Sequence, residues 1–281
     1  MFPITDTSNP ITVAATVEQI QHRLYPGHPA TVLRRLFADV QAMFEGRYLD
    51  YQAIDLRYHD FQHTLQATLC LAELFAARHE ASAEPALSAR EFECGLAAVV
   101  LHDTGYLKLR ADTAGTGAKY TYTHVLRSCA VAASYLPTAG FGPDALNVVL
   151  NAIGCTGPTS NLYPISFGSP AEKIIGCCVA AADYLGQMAA SDYPDELGFL
   201  YEEFEESDDF LGVPRNLRAF KSADDLIART PDFWRGHVLP KLQRQFLGIH
   251  RYLAQPFPDG KNRYLDAIEH NISRIQLLKR P

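Results

Sequence analysis

The residues of this chain best equipped for chemistry are His63, the adjacent pair His102-Asp103, and Asp183, with His59 four residues before His63. Neutral imidazole nitrogen and carboxylate oxygen are ligands for first-row transition metals, and carboxylate also suits magnesium or manganese. Their surroundings are apolar. His102-Asp103 ends the run Leu96-Ala97-Ala98-Val99-Val100-Leu101, and His63 leads into Leu65, Leu69, Leu71, Leu74 and Phe75. Asp183 stands among the alanines of AEKIIGCCVAAADYLGQMAA. A polar group buried without a partner is costly. A hydrogen-bonded core pair would satisfy each group separately, but one metal would satisfy all four together.

The elements that must position these residues read as helices. A helix is expected from about Tyr58 to Arg78, with His59 and His63 on one face, and another ends near His102-Asp103 with Gly105 as its stop. A third starts at Pro170 and carries Glu172, Gly176, Val179 and Asp183 along one face. Between them the loop RADTAGTGAKYTYTH runs into a helix from about Thr123 to Tyr135, with His124 in its first turn. That loop matches neither the P-loop nor the dinucleotide fingerprint. Packing helices are expected at Val13 to Leu24, at Pro29 to Gly46 (stripe Val32, Leu36, Val40, Phe44) and at Pro143 to Ile153.

After Ser191 the stretch DELGFLYEEFEESDDF reads as an amphipathic helix with a solvated acidic face. Two tail helices follow, striped by Val238, Leu242, Phe246, Ile249 and Leu253 and by Leu265, Ile268, Ile272 and Ile275. No stretch alternates as a strand does. The expected class is all-α, one helical domain over 1–281, with N-terminal helices (1–50), a metal-binding core (51–190) and a C-terminal extension (191–281).

With 47% hydrophobic and 20% charged residues, the composition is that of a globular protein. The net charge of −7 argues against general nucleic-acid binding, which needs a basic face. No run reaches the length of a membrane span, and the start MFPITDTSNP lacks signal-peptide character, so no membrane association and a cytoplasmic location are expected. The six cysteines show no paired spacing and read as buried reduced thiols.

Through YHDFQH (Tyr58 to His63), LHDTGYL (Leu101 to Leu107) and AADYLGQM (Ala181 to Met188), the chain resembles the HD-domain superfamily of metal-dependent phosphohydrolases, an HD-like helical bundle. The resemblance implies His63, His102, Asp103 and Asp183 as ligands of a first metal, with Asp103 bridging wherever a second is bound. It implies His59 as the acid that protonates the leaving group and His124, 22 residues beyond His102, as a second-metal ligand. The metal is manganese, magnesium, iron, zinc, cobalt or nickel, one or two ions per chain. Two departures stand out: no histidine occurs from Val125 to Ala182, and Tyr106 occupies the place where cyclic-nucleotide phosphodiesterases have the second histidine of HDxxH.

The implied activity is hydrolysis of a small, nucleotide-like phosphate ester by metal-activated water, with Lys119 and Arg127 as candidates to hold the phosphate. A di-iron oxygenase and a non-catalytic regulatory module are the alternatives. The acidic extension could serve a partner or a homodimer interface.

Overall fold

A computed structural model describes residues 5–157 and 160–277. Helix starts follow local chemistry, because the first N–H groups of a helix need acceptors. Asn9 accepts from Ile11 and Thr12 to open α1 (Pro10–Leu24), and α2 (Thr31–Phe44) follows. Asp60 caps α3 (Phe61–Glu80), and Ser88 with Glu91 forms a reciprocal capping box on α4 (Ala89–Leu101). Next come α5 (His124–Tyr135), α6 (Pro143–Ile153) and α7 (Pro170–Met188), the last capped by Ser169 with Pro170 in its first turn. The chain ends with α8 (Tyr193–Phe210), α9 (Ala223–Phe233) and α10 (Arg263–Leu277). The only named strands among the described residues are β1 (Ala254–Gln255) and β2 (Lys261–Asn262), an antiparallel pair. The fold is all-α.

The centre of the molecule is α3 against α7, with α4 packed on both. All three are buried around most of their circumference, as their lack of a polar stripe requires. Gly186 sets how closely α7 approaches α3: a Cβ there would lie 2.6 Å from the Gln66 carbonyl oxygen and 2.8 Å from the Ala67 Cα. One contiguous apolar core runs from Val13 in α1 to Ile275 in α10, so the N-terminal helices and the C-terminal extension share it with the central three. No single described helix is long and apolar enough to cross a membrane. All six cysteines are unpaired, five of them buried.

Three expectations are corrected. The helix carrying His63 starts at Phe61, not Tyr58, because Asp60 adopts an extended backbone and accepts from the His63 amide. His59 therefore precedes the helix and shares no helical face with His63. The stripe from Val238 to Leu253 is buried as expected, yet its backbone is not one α-helix. Wide turns occupy Trp234–Val238 and Lys241–Gln245, and a 3₁₀ segment spans Ile249–Leu253. Pro240, between the two wide turns, supplies no amide, and Gly248 takes a left-handed φ of +68° between the second of them and the 3₁₀ segment. Finally, α8 is not simply a solvated acidic face, since Glu203, Ser207 and Asp208 are buried.

The α3–α7 contact makes a stability prediction. Gly186→Ala should destabilise by about 1–3 kcal/mol through overpacking. Gly198→Ala in α8, where a Cβ meets nothing within 4 Å, should be neutral or stabilise by up to about 1 kcal/mol. Urea unfolding monitored by circular dichroism measures both, and an unaffected Gly186→Ala protein would contradict the close approach.

Candidate metal centre

Each ligand candidate is delivered by a different structural device. His63 lies in the first turn of α3, its amide held by Asp60 at 2.9 Å. His102 is the C-cap of α4, where its Nδ1 is 2.7 Å from the Val99 carbonyl oxygen. Asp103 follows at the start of a short 3₁₀ turn, and Asp183 projects from the middle of α7. The turn after the pair is gripped by α5: the Ser128 hydroxyl donates to the His102 carbonyl and accepts from the Gly105 amide at 2.8 Å. A side chain on Gly105 would collide with the His124 backbone, so this approach requires glycine.

These devices bring four groups together. Nε2 of His63 lies 3.3 Å from Asp103 Oδ2 and 3.4 Å from Asp183 Oδ1. Nε2 of His102 lies 3.2 Å and 3.4 Å from the same two atoms. Ligands about 2.1 Å from a common ion, at octahedral to tetrahedral angles, stand about 3.0–3.4 Å apart. His63, His102 and Asp103 each offer an atom within 4.8 Å of the others, a buried group that could hold a metal.

The donor atoms fit a cation on chemical grounds as well. A backbone carbonyl can only accept, so Val99 keeps a proton on His102 Nδ1 and leaves Nε2 a lone pair unless the ring is charged. That Nε2 and Asp103 Oδ2 are both buried, and although 3.2 Å apart they are not aligned for a hydrogen bond. Behind His63, the Gln187 amide reaches Nδ1 at 3.1 Å. With its oxygen turned inward it would accept from Nδ1 and free Nε2 in the same way.

The electrostatics follow from a dry pocket holding two carboxylates. Burial pushes His63 down, but the facing carboxylates of Asp103 and Asp183 overcome this and raise it to about 9. His102 is likewise raised well above 6.5, against its burial, by the charges of Asp103 and Asp183. Both aspartates are lowered despite burial, chiefly by the charge of His102. The carboxylates thus demand positive charge, which protons or a metal can supply.

His124 sits beside this group. Its Nδ1 is 2.7 Å from the Thr121 carbonyl oxygen, and its Nε2 lies 3.7 Å from Asp103 Oδ1, the oxygen turned away from His63 and His102. Burial lowers its pKa, which favours the neutral ring, and the Thr121 carbonyl favours keeping the proton of that ring on Nδ1. His59 approaches through Glu203 of α8, whose Oε2 lies 2.5 Å from Nδ1. The other Glu203 oxygen accepts from the amides of Tyr58 and His59 at 2.9 and 3.3 Å. The ring of Tyr106 lies against both His59 and His124, with centroids at 4.5 and 4.6 Å.

The two cations expected to hold a phosphate have other partners. Lys119 is buried and bonded to Asp112 and the Ala114 carbonyl. Arg127 lies over the Tyr120 ring and donates to the carbonyls of Gly105 and Leu107 at 2.6 and 2.9 Å. Both brace the loop after His102-Asp103.

Sequence reasoning missed Glu203, whose acidic neighbours disguised it, and Gln187, on the same helix as Asp183. The spacing of Gln187, four residues after Asp183, was the available signal. The chain matches no protein-family model and no curated protein.

The pKa directions predict opposite pH behaviour with and without metal. In chelator-treated protein, His63 binds its proton more tightly when folded, so its contribution is complete below pH 6.5 and lost as pH rises through about 9. The lowered aspartates contribute above their unfolded value of 3.8 and lose that contribution in acid. The thermal midpoint of the chelated protein should therefore peak between these limits and fall toward pH 9. The increment conferred by added manganese or zinc should instead grow over that range, since ligation needs unprotonated imidazole. Differential scanning calorimetry with and without chelator measures both, and pH-independent midpoints from 6.5 to 9 would contradict the assignment.

Proposed function

We propose that this chain is a metal-dependent phosphohydrolase of the HD-domain kind, acting on a small phosphate monoester or diester. The observation that carries the reading is the pair of unpartnered buried atoms, His102 Nε2 and Asp103 Oδ2, facing His63 and Asp183. In this reading His63, His102, Asp103 and Asp183 hold a divalent cation, and His124 with Asp103 Oδ1 offers a second position. Such a cation, when bound, neutralises charge on phosphoryl oxygens and lowers the pKa of a water ligand toward neutrality.

The chain's own residues supply the rest. His59 is the proton donor to the departing oxygen. Glu203 accepts from its Nδ1, which leaves Nε2 as the ring nitrogen that serves the departing oxygen. Because the same carboxylate binds the amides of Tyr58 and His59, the backbone and the ring are fixed together. Tyr106 in place of a second histidine weighs against a cyclic-nucleotide phosphodiesterase, for a buried phenol held well above its usual pKa, first by burial and then by Asp103, is a poor ligand.

Protein purified without chelator should hold about one or two divalent ions per chain. His102→Ala and Asp103→Ala should hold almost none while keeping the helical circular dichroism. Hydrolysis of an aryl phosphate should vanish in both and fall about 100- to 10,000-fold in His59→Gln. Undiminished hydrolysis by metal-stripped protein would overturn the proposal. Two tightly bound irons with an absorption change on exposure to oxygen would point to a di-iron oxygenase instead.

A further inference from the structure

A proton donor serves a reaction only while its nitrogen points at the departing oxygen, and a displacement of about 1 Å can cost about 100-fold in rate. His59 is thinly held for that task. It lies before α3, its side chain is 15% exposed, and its one side-chain hydrogen bond among the described residues joins Nδ1 to Glu203. A single bond at Nδ1 fixes that atom but lets the ring turn about it, carrying Nε2 along. A second restraint, on the plane of the ring, is needed.

Tyr58 and His63 meet the His59 ring edge-on, at interplanar angles of 77° and 85°. Among the described rings Tyr106 alone lies nearly parallel to it, at 19°, and Tyr106 lies at 12° to the His124 ring as well. The centroids of His59 and His124 are 6.2 Å apart. Rings stacked on opposite faces of one phenol would stand at least about 7 Å apart, twice the contact distance of carbon atoms. Both imidazoles therefore rest side by side on the same face of Tyr106.

That face is firmly placed. Tyr106 is 1% exposed, with Leu56 and Ala118 packed beside it. Its amide donates to the Asp103 carbonyl at 3.1 Å, and the carbonyls of its neighbours Gly105 and Leu107 accept from Arg127. A side chain on Gly117 would collide with the Tyr106 carbonyl oxygen, so the glycine-containing loop closes on it too. The ring beneath His59 is thus anchored to the turn that carries Asp103.

We propose that Tyr106 is a positioning residue for His59: its face sets the plane of the imidazole and, with Glu203 at Nδ1, aims Nε2 at the departing oxygen. The inference rests on the phosphohydrolase reading. It assigns the effect to the flat face of the phenol and not to the hydroxyl.

The test measures aryl phosphate hydrolysis by manganese-loaded wild type, Y106F, Y106L, H59Q and the double variant. Y106F keeps the face and should stay within about threefold of wild type. Y106L fills the core without a face, and its kcat should fall tenfold or more, with KM changed less than threefold and metal content unchanged. In the H59Q background, Y106L should cost less than a further threefold, since nothing remains to be positioned. Unchanged kcat in Y106L, a fall that merely follows lost metal, or the full additional loss in the double variant would overturn the inference. Carbon-13 relaxation of ring-labelled histidine in metal-free protein reads the restraint directly. The order parameter of the His59 ring should be high in wild type and Y106F and should drop in Y106L, and an unchanged value in Y106L would also overturn the inference. If the wild type turns over no ester, the hydrolase reading fails and these order parameters alone decide whether Tyr106 holds His59. Should Y106L fail to fold, Y106M is read by the same criteria.

Discussion

Two carboxylates and two imidazoles meet at separations of 3.2–3.4 Å in a place nearly closed to water, and the surrounding architecture is arranged to force that meeting. Left to themselves the carboxylates would repel one another, and at low dielectric the repulsion is strong. The helices cannot relax it. His102 is fixed by its bond to Val99, its carbonyl is held by Ser128, and α7 is drawn onto α3 at Gly186 so that Asp183 must face His63. An arrangement that accumulates negative charge in a dry place needs positive charge to balance it. Protons on His63 and His102, whose pKa values are raised, can supply it, and a metal held there would also engage the orphaned atoms.

The acidic helix α8 extends this logic outward. Glu203 fixes His59, Glu206 accepts from the amide and hydroxyl of Thr116, and Asp208 accepts from Tyr122 at 2.8 Å. Successive carboxylates along one helix therefore hold the segment before α3 and the loop before α5. Those two segments carry His59 and His124, and Tyr106 touches both rings. Movement of α8 would reach both histidines at once.

The sequence made most of this centre legible because its ligands sit where apolar runs meet polar residues, a local pattern with a local cost. His63, His102, Asp103 and Asp183 could be selected without knowing how their helices cross. The boundary at Asp60 was harder, since a capping aspartate and a helical aspartate look alike until the His63 amide is seen to bond it. Glu203 was hidden by composition: among many acidic neighbours, burial of one depends on where α8 docks. The wide turns at Trp234–Val238 and Lys241–Gln245 were hidden by periodicity. The stripe from Val238 to Leu253 identified the buried residues correctly, but wide turns move the side chains between them, and hydrophobic spacing alone does not register that change.

Asp103 also explains why the two sides of the centre are unequal. Its Oδ2 faces two imidazoles and shares them with Asp183, whereas its Oδ1 faces His124 alone at 3.7 Å. A cation on the first side would find four protein groups in place, while one on the second would find a single imidazole and a shared carboxylate, with water or substrate left to complete its shell. Tyr106 reinforces the difference, because its neutral phenol occupies space beside His124 without offering an anionic oxygen. An ion on the first side would therefore be the more firmly held of the two, and His59 borders both sides, its ring centroid 5.6 Å from that of His63 and 6.2 Å from that of His124.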